Sequence, residues 1–339
     1  MGVNVAMWSK AVRGLVGRME PHEWAALDIV AQWLIAARAQ VLVMTFLSAA
    51  LGGLLALAAG RFALFPWLLV TAGLVLAHAT NNLLNDLTDF WRGVDHDNYF
   101  RAQYGPHPLA HNLMPLRGVL LFAGVTGGAA LALGLYLMSL AADPGRAWIL
   151  LGLGAVFVLF YTFPLKYIGL GELAVLVVWG PLMIGGTYFM VTGVWEWNVV
   201  WAGLPYALGV TGVIFGKHID KLAVDRAKGI HTLPVLLGEA RARAVAVGLL
   251  AAQYVLVVYL VLTGFFSPAL LVVFLAAPTF GLVSSALRQP RPAAPPAGFP
   301  ADIWPLWYVA FAFEHNRRFG FFFLLGLLAD LALKRLGIW

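Results

Sequence analysis

Five side chains in one short stretch, His78, Asn82, Asn85, Asp86 and Asp89, recur at intervals of one to four residues. On a helix turning 100° per residue they fall within about 100° of arc and form one polar stripe. Arg92 and Asp95 follow. Amide and carboxylate oxygens in this arrangement suit a hard divalent cation, and magnesium characteristically uses a few carboxylates together with phosphate oxygens of a substrate. The stripe starts inside an apolar run, where carboxylates are costly, and sits at a helix C-terminus, where acids oppose the helix dipole. A metal explains the acids; the plainer reading is a polar helix end bonded to its neighbours and to interfacial water.

A second cluster lies in residues 217–238, where Lys217, Asp220, Lys221, Asp225 and Lys228 alternate acid and base. Lysines can neutralise an oligophosphate leaving group while carboxylates hold its metal. Taken alone, the same residues read equally well as a basic loop laced with i,i+4 ion pairs. A third group lies in residues 161–172. Lys166 could contact phosphate, and Tyr161 or Tyr167 could turn an aromatic face to a developing cation. Tyr and Lys at such places also serve as interfacial anchors. His107, His111 and His315 lack metal-ligand spacing and read as loop or interfacial residues.

These clusters need a frame. With 61% hydrophobic and 11% charged residues and a mean hydropathy of +0.84, the 339-residue chain carries more apolar surface than a water-soluble core hides. It belongs in a lipid bilayer. Spans need about 20 mostly apolar residues, and segments near 40–59, 63–84, 117–140, 147–164, 170–192, 198–219, 241–263, 267–287 and 319–335 qualify. The expected fold is all-α: one polytopic bundle of about nine transmembrane helices with its active site on the cytoplasmic side. Residues 1–39, with Trp24, Leu27, Ala31, Leu34 and Ile35 at helical spacing, read as an N-terminal interfacial amphipathic segment without a cleavable signal. Residues 40–339 read as a single transmembrane domain with a Pro-rich loop at 288–305.

A cytoplasmic N-terminus leaves only Arg61, Arg146, Lys334 and Arg335 of the 22 Lys and Arg on the far side, the bias of the positive-inside rule. The formal charge of +6 is thereby accounted for by orientation in the cytoplasmic membrane, and no nucleic-acid partner is expected. The absence of cysteine excludes thiolate catalysis, iron–sulfur clusters and cysteine-ligated zinc, and leaves oxygen and nitrogen ligands for a metal.

The motifs resemble those of the UbiA superfamily of intramembrane prenyltransferases. Residues 85–89, continued through Arg92 and Gly93 to Asp95, match an Asn-Asp-x-x-Asp-x-x-x-Gly-x-Asp pattern similar to that of the naphthoate polyprenyltransferase branch. Gly169-Leu-Gly-Glu172 and residues 180–188 resemble that branch as well. The likeness runs from about Gln40 to Arg243, with a weaker echo at residues 315–318. The family's second motif is Asp-x-x-x-Asp, often with a Lys four residues before it. Here Lys217 and Asp225 hold the outer places, Lys221 stands where the first Asp belongs, and Asp220 is displaced by one residue. In a regular helix Asp220 and Asp225 lie about 140° apart, against about 40° for positions 221 and 225.

The resemblance implies magnesium-dependent transfer of a prenyl group from an isoprenoid diphosphate to an aromatic, quinone-precursor-like acceptor. Asn85, Asp89 and one or more of Asp86, Asp95, Asp220 and Asp225 would hold the metal. Lys217, Lys221, Lys228, Arg92 and Lys166 would neutralise the departing diphosphate, Asn82 would help bind substrate, and Asp89, Asp225, Lys217 and Tyr161 would serve catalysis. The alternatives are a non-catalytic isoprenoid-diphosphate binder, or a membrane transporter using the same polar stripe.

Overall fold

The computed structural model describes residues 2–96, 99–300 and 303–339, and it contains helices and no strand among them. Three short helices open the chain: α1 (Val5–Arg13), α2 (Pro21–Ala25) and α3 (Ile29–Ala36). Asp28 divides the expected amphipathic stretch, because its carboxylate caps the Val30 and Ala31 amides at the start of α3. The same carboxylate accepts bonds from the Trp8 indole and the Asn4 amide, which fastens α1 to α3. Trp24, Leu27, Ala31 and Ile35 are buried against Leu83, Leu113 and Ala123.

The long helices follow: α4 (Ala39–Ala58), α5 (Leu64–Trp91), α6 (Leu116–Leu140), α7 (Pro144–Phe160), α8 (Gly171–Thr192) and α9 (Trp197–Asp220). Two short turns of helix come next, α10 (Leu222–Ala227) and α11 (Leu233–Leu237), and then α12 (Glu239–Leu262), α13 (Pro268–Arg288) and α14 (Tyr308–Arg335). Their apolar side chains can face lipid, and a helix satisfies its backbone amides internally, as a bilayer requires. Seven of these helices are long and apolar enough to span, against about nine expected from sequence. The two left over are α7, which is only 17 residues long, and α14, whose 28 residues include Glu314, Arg317, Arg318 and Asp330.

Among the described residues two helices depart from regular winding, α8 and α13. The middle of α8, Val178–Gly185, is a π-helix around Pro181, a local form associated with functional sites. Pro205 sits inside α9, and the first half of α13 is a 3₁₀-helix. The second expected span extends further than its apolar run: α5 continues to Trp91, so the whole stripe from His78 to Asp89 is helical.

α9 is the centre of the bundle, with 78% of its apolar window buried against 22% for α6. Its glycines make this possible. A Cβ on Gly216 would come within 3.0 Å of the Val309 backbone on α14, and one on Gly209 would strike the Asn316 and Gln253 side-chain amides. His315, expected in a loop or at an interface, is fully buried on α14 and bridges Gln253 and Thr279. Because backbone cannot rotate aside as a side chain can, Gly216→Ala is expected to cost about 1–3 kcal/mol through overpacking. Thermal unfolding in detergent, set beside Gly248→Ala, which meets open space, measures that difference.

Candidate active site

The polar stripe of α5 opens into a cavity of about 1510 Å³. Most of its wall is apolar, from residues such as Leu74, Leu131, Leu151, Trp179 and Met190, with glycines 127, 128 and 154 leaving room. At the polar part of the cavity Asn82, Asn85 and Asp89 of α5 meet Tyr161 and Lys166, from the connection between α7 and α8, and Lys217 and Lys221, from the end of α9 and just beyond. Arg38 and Arg101 line it too.

Each acid here is matched by a basic side chain, an imidazole or backbone amides. Lys166 Nζ donates to both oxygens of Asp89 at 2.6 and 2.7 Å. Its position is set by a 3₁₀ turn, Leu165–Ile168, followed by Gly169 at φ +78°, where a left-handed residue is needed. Burial lowers the Lys166 pKa, and the adjoining Asp89 opposes that effect. Lys221 Nζ lies 2.8 Å from Asp225, whose other partner is the donating Tyr99 hydroxyl. Burial alone would lower the Lys221 pKa; Asp225 and Tyr99 together hold it well above the ordinary lysine value.

Asp86 stands apart from the cavity. Arg101 donates to both of its oxygens, at 3.1 and 3.3 Å, and Arg38 Nη2 lies 3.3 Å away. Arg38 also reaches the Asn82 carbonyl and the Asn85 amide oxygen, and it occupies the left-handed region at φ 56°. Asn85 donates to Thr162, and Asn82 donates to the Ala37 carbonyl. Asp95 pairs with His107 at 2.9 Å, both buried, while its other oxygen has no hydrogen-bond partner among the described residues.

The structure gives Asp220 a different neighbourhood from the one the second motif requires. α9 does end there and the helix breaks at Lys221, yet the break does not turn Asp220 towards the cavity. Its carboxylate accepts the Tyr308 and Val309 amides, both at 3.0 Å, and so caps the start of α14. Arg92 stacks on Phe163 and Tyr167, and Lys228 donates to the Gly93 carbonyl, so both brace the loop after α5. Lys217 lines the cavity with no hydrogen-bond or ion-pair partner among the described residues, and its surroundings are basic: Arg38, Lys221, Lys166 and Arg101.

Sequence reasoning passed over Arg38, far from every motif, and Tyr99 and Arg101, which follow the first motif but reach Asp225 and Asp86 only through tertiary folding. It also passed over the buried pair of Glu172 with His218, 2.5 Å apart, although His218 lines the cavity. The one available signal was a charged or polar residue at a span boundary.

The chain matches the UbiA prenyltransferase family model over residues 46–329. It belongs to that family. Among curated proteins it is 27% identical over 299 residues to the 1,4-dihydroxy-2-naphthoate octaprenyltransferase of Bacillus subtilis, covering 86% of this chain and 90% of that one. It is 28% identical over 246 residues to the UbiA prenyltransferase domain-containing protein 1 homolog of Drosophila melanogaster, covering 71% and 68%. Among solved structures, a UbiA homolog from Aeropyrum pernix superposes with a TM-score of 0.64 at 20% identity, covering 86% of this chain and 98% of that one. A UbiA homolog from Archaeoglobus fulgidus bound to GPP and Mg2+ superposes at 0.57 with 15% identity, covering 87% and 99%. The chain is therefore a UbiA-type prenyltransferase with the fold of these neighbours.

Two substitutions separate the acids by role. Asp220→Ala is expected to cost about 1–2 kcal/mol, the loss of a helix cap. Asp86→Ala strands two buried guanidinium groups and is expected to cost about 3–5 kcal/mol. Melting temperatures of the purified variants rank the two.

Proposed function

We propose that this prenyltransferase transfers its prenyl group from an isoprenoid diphosphate to an aromatic, quinone-precursor-like acceptor, with the chemistry at the polar end of the cavity. One observation carries this reading: a large, mainly apolar cavity ends in Asn85, Asp89, Lys166, Lys217 and Lys221. An isoprenoid chain suits the apolar wall and a diphosphate suits the cations. Relatives named as naphthoate octaprenyltransferases, in Bacillus subtilis and at 30% identity in Mycobacterium tuberculosis, support an aromatic acceptor.

Magnesium is the cofactor of this reading, and the donors fit it. Asn85 and Asp89 present hard oxygen donors at the cavity, and the sequence holds no cysteine. No cluster of three or more His, Asp or Glu forms a ready-made site among the described residues, which suits an ion whose shell is completed by substrate phosphate. Asn85 and Asp89 would hold the ion. When bound, it would neutralise charge building on the leaving diphosphate.

The remaining work belongs to the side chains. Lys166, Lys217 and Lys221 attract the diphosphate and stabilise it as the C1–O bond breaks, with the electron pair leaving on oxygen. The resulting allylic cation is attacked by an electron-rich acceptor carbon, a C–C bond forms, and the acceptor loses a proton. Tyr161 lines the cavity, where its ring can face the cation; burial raises its phenol pKa, so it stays neutral. The apolar wall excludes the water that would otherwise capture the cation. The positive-inside bias of the sequence supports a cytoplasmic position for this end of the bundle. Transport is the weaker reading, because the charged groups cluster at the ends of α5 and α9 and not at broken helices near the midplane.

The test is binding of radiolabelled geranylgeranyl diphosphate to the detergent-purified protein with and without magnesium, followed by diphosphate release with candidate aromatic acceptors. Magnesium-dependent binding is expected, weakened about tenfold or more in Asp89→Ala, together with release when an acceptor is supplied. Absence of binding would sink the reading.

A further inference from the structure

Asp225 and Asp89 are both paired with lysine, yet an entering ion meets them differently. Asp89 lines the cavity beside Asn85. Asp225 is fully buried, does not line the cavity, and is held by Lys221 Nζ and the Tyr99 hydroxyl. Four residues separate Lys221 from Asp225, and the Asp225 amide bonds the Lys221 carbonyl at 2.8 Å, so a single helical turn fixes the pair. Lys221 itself sits at the break between α9 and α10 and does line the cavity. An ammonium has three N–H donors. Two are directed to Asp225 and Tyr99, at 2.8 and 3.3 Å, which leaves one for a ligand in the cavity.

We infer that the Lys221 ammonium takes the place of a second metal ion, so that the chain binds its diphosphate with one divalent cation at Asn85 and Asp89 and a built-in cation at Lys221. The inference rests on the diphosphate reading given above. A carboxylate at 221 would face Asp225 across one turn, and two like charges there would call for a metal between them. A lysine at the same place neutralises Asp225 permanently and keeps a positive charge where phosphate oxygens would lie. Lys166, Lys217, Arg38 and Arg101 surround the same spot, and Asp89 and Glu314 are the only carboxylates lining the cavity among the described residues. Glu314 is already engaged by Arg317 and Arg318. The electrostatic balance there is therefore met by fixed cations, and Asp89, held by Lys166 alone among the described residues, is the carboxylate that an incoming ion would meet.

Metal stoichiometry tests this directly. The probe is manganese, counted by equilibrium dialysis and electron paramagnetic resonance in the presence of uncleavable geranyl S-thiolodiphosphate. The wild-type protein is expected to bind about one equivalent per chain, and Lys221→Asp about two, as a carboxylate pair is rebuilt. Lys221→Met is expected to keep one equivalent and lose about tenfold in thiolodiphosphate affinity, with Lys221→Arg recovering part of it. Two equivalents in the wild-type protein, or unchanged affinity in a folded Lys221→Met, would overturn the inference and leave the prenyl-transfer reading standing. No manganese-dependent thiolodiphosphate binding in any form would overturn both. The wild-type count needs no variant to fold.

Discussion

A carboxylate buried in a membrane bundle has to be neutralised or hydrogen-bonded, and the polar end of this protein is organised by the ways in which that is done. Asp86 is held by Arg38 and Arg101, Asp89 by Lys166, Asp225 by Lys221 with Tyr99, and Asp95 by His107. Asp220 is met by the free amides at the start of α14. Most of these pairings join segments far apart in the chain. The Arg38 interaction fixes the start of α4 against α5, the Arg101 interaction pins the loop after α5, and the Asp220 cap locks α14 onto the end of α9. Removing one partner from such a pair leaves an uncompensated charge in a poorly solvated place, so these contacts specify the arrangement as well as stabilise it.

The same pairings divide the acids between framework and chemistry. Asp86, Asp95 and Asp220, held by arginines, a histidine and backbone amides, are withdrawn from the cavity, whereas Asp89 and the lysines beside it remain on its wall. Arginine keeps its charge and holds a carboxylate through two parallel bonds, which suits a permanent joint. Lysine is a single compact charge on a flexible stem, and can shift from a carboxylate towards an arriving phosphate. Lys166 is thus placed to balance Asp89 and then to serve the ligand, while Lys221 stays on Asp225 and turns its remaining N–H to the cavity. The large cavity itself depends on small residues of α6 and α7 that leave space beside α5.

Much of this could be read from residue order. The stripe from His78 to Asp89 is visible because helical geometry makes spacing equivalent to direction, and the structure does wind that stretch as one helix. The basic character of residues 217–228 and the placement of Lys166 between two apolar runs were equally visible. Span counting gave about nine, whereas seven helices among the described residues are long and apolar enough to cross a membrane; α7 has only 17 residues, and α14 carries charges that interrupt its apolar run. Asp28 divided what periodicity alone joined, since apolar spacing carries no information about a cap.

Composition and local periodicity determined that the chain is an all-helical membrane protein, and its motifs placed a polar stripe beside a basic segment, because both properties are set by neighbours within a few turns. Which acids face the cavity was decided only by tertiary structure. Asp220 and Asp225 stand in the same short polar segment of sequence, but one reaches 88 residues along the chain to cap α14 and the other is enclosed by Lys221 and by Tyr99, 126 residues away. Arg38 and Arg101 carry no motif at all. Coulombic pairing depends on distance in space, and in a bundle of long helices that distance is set by how glycine-lined faces pack, which no local pattern encodes.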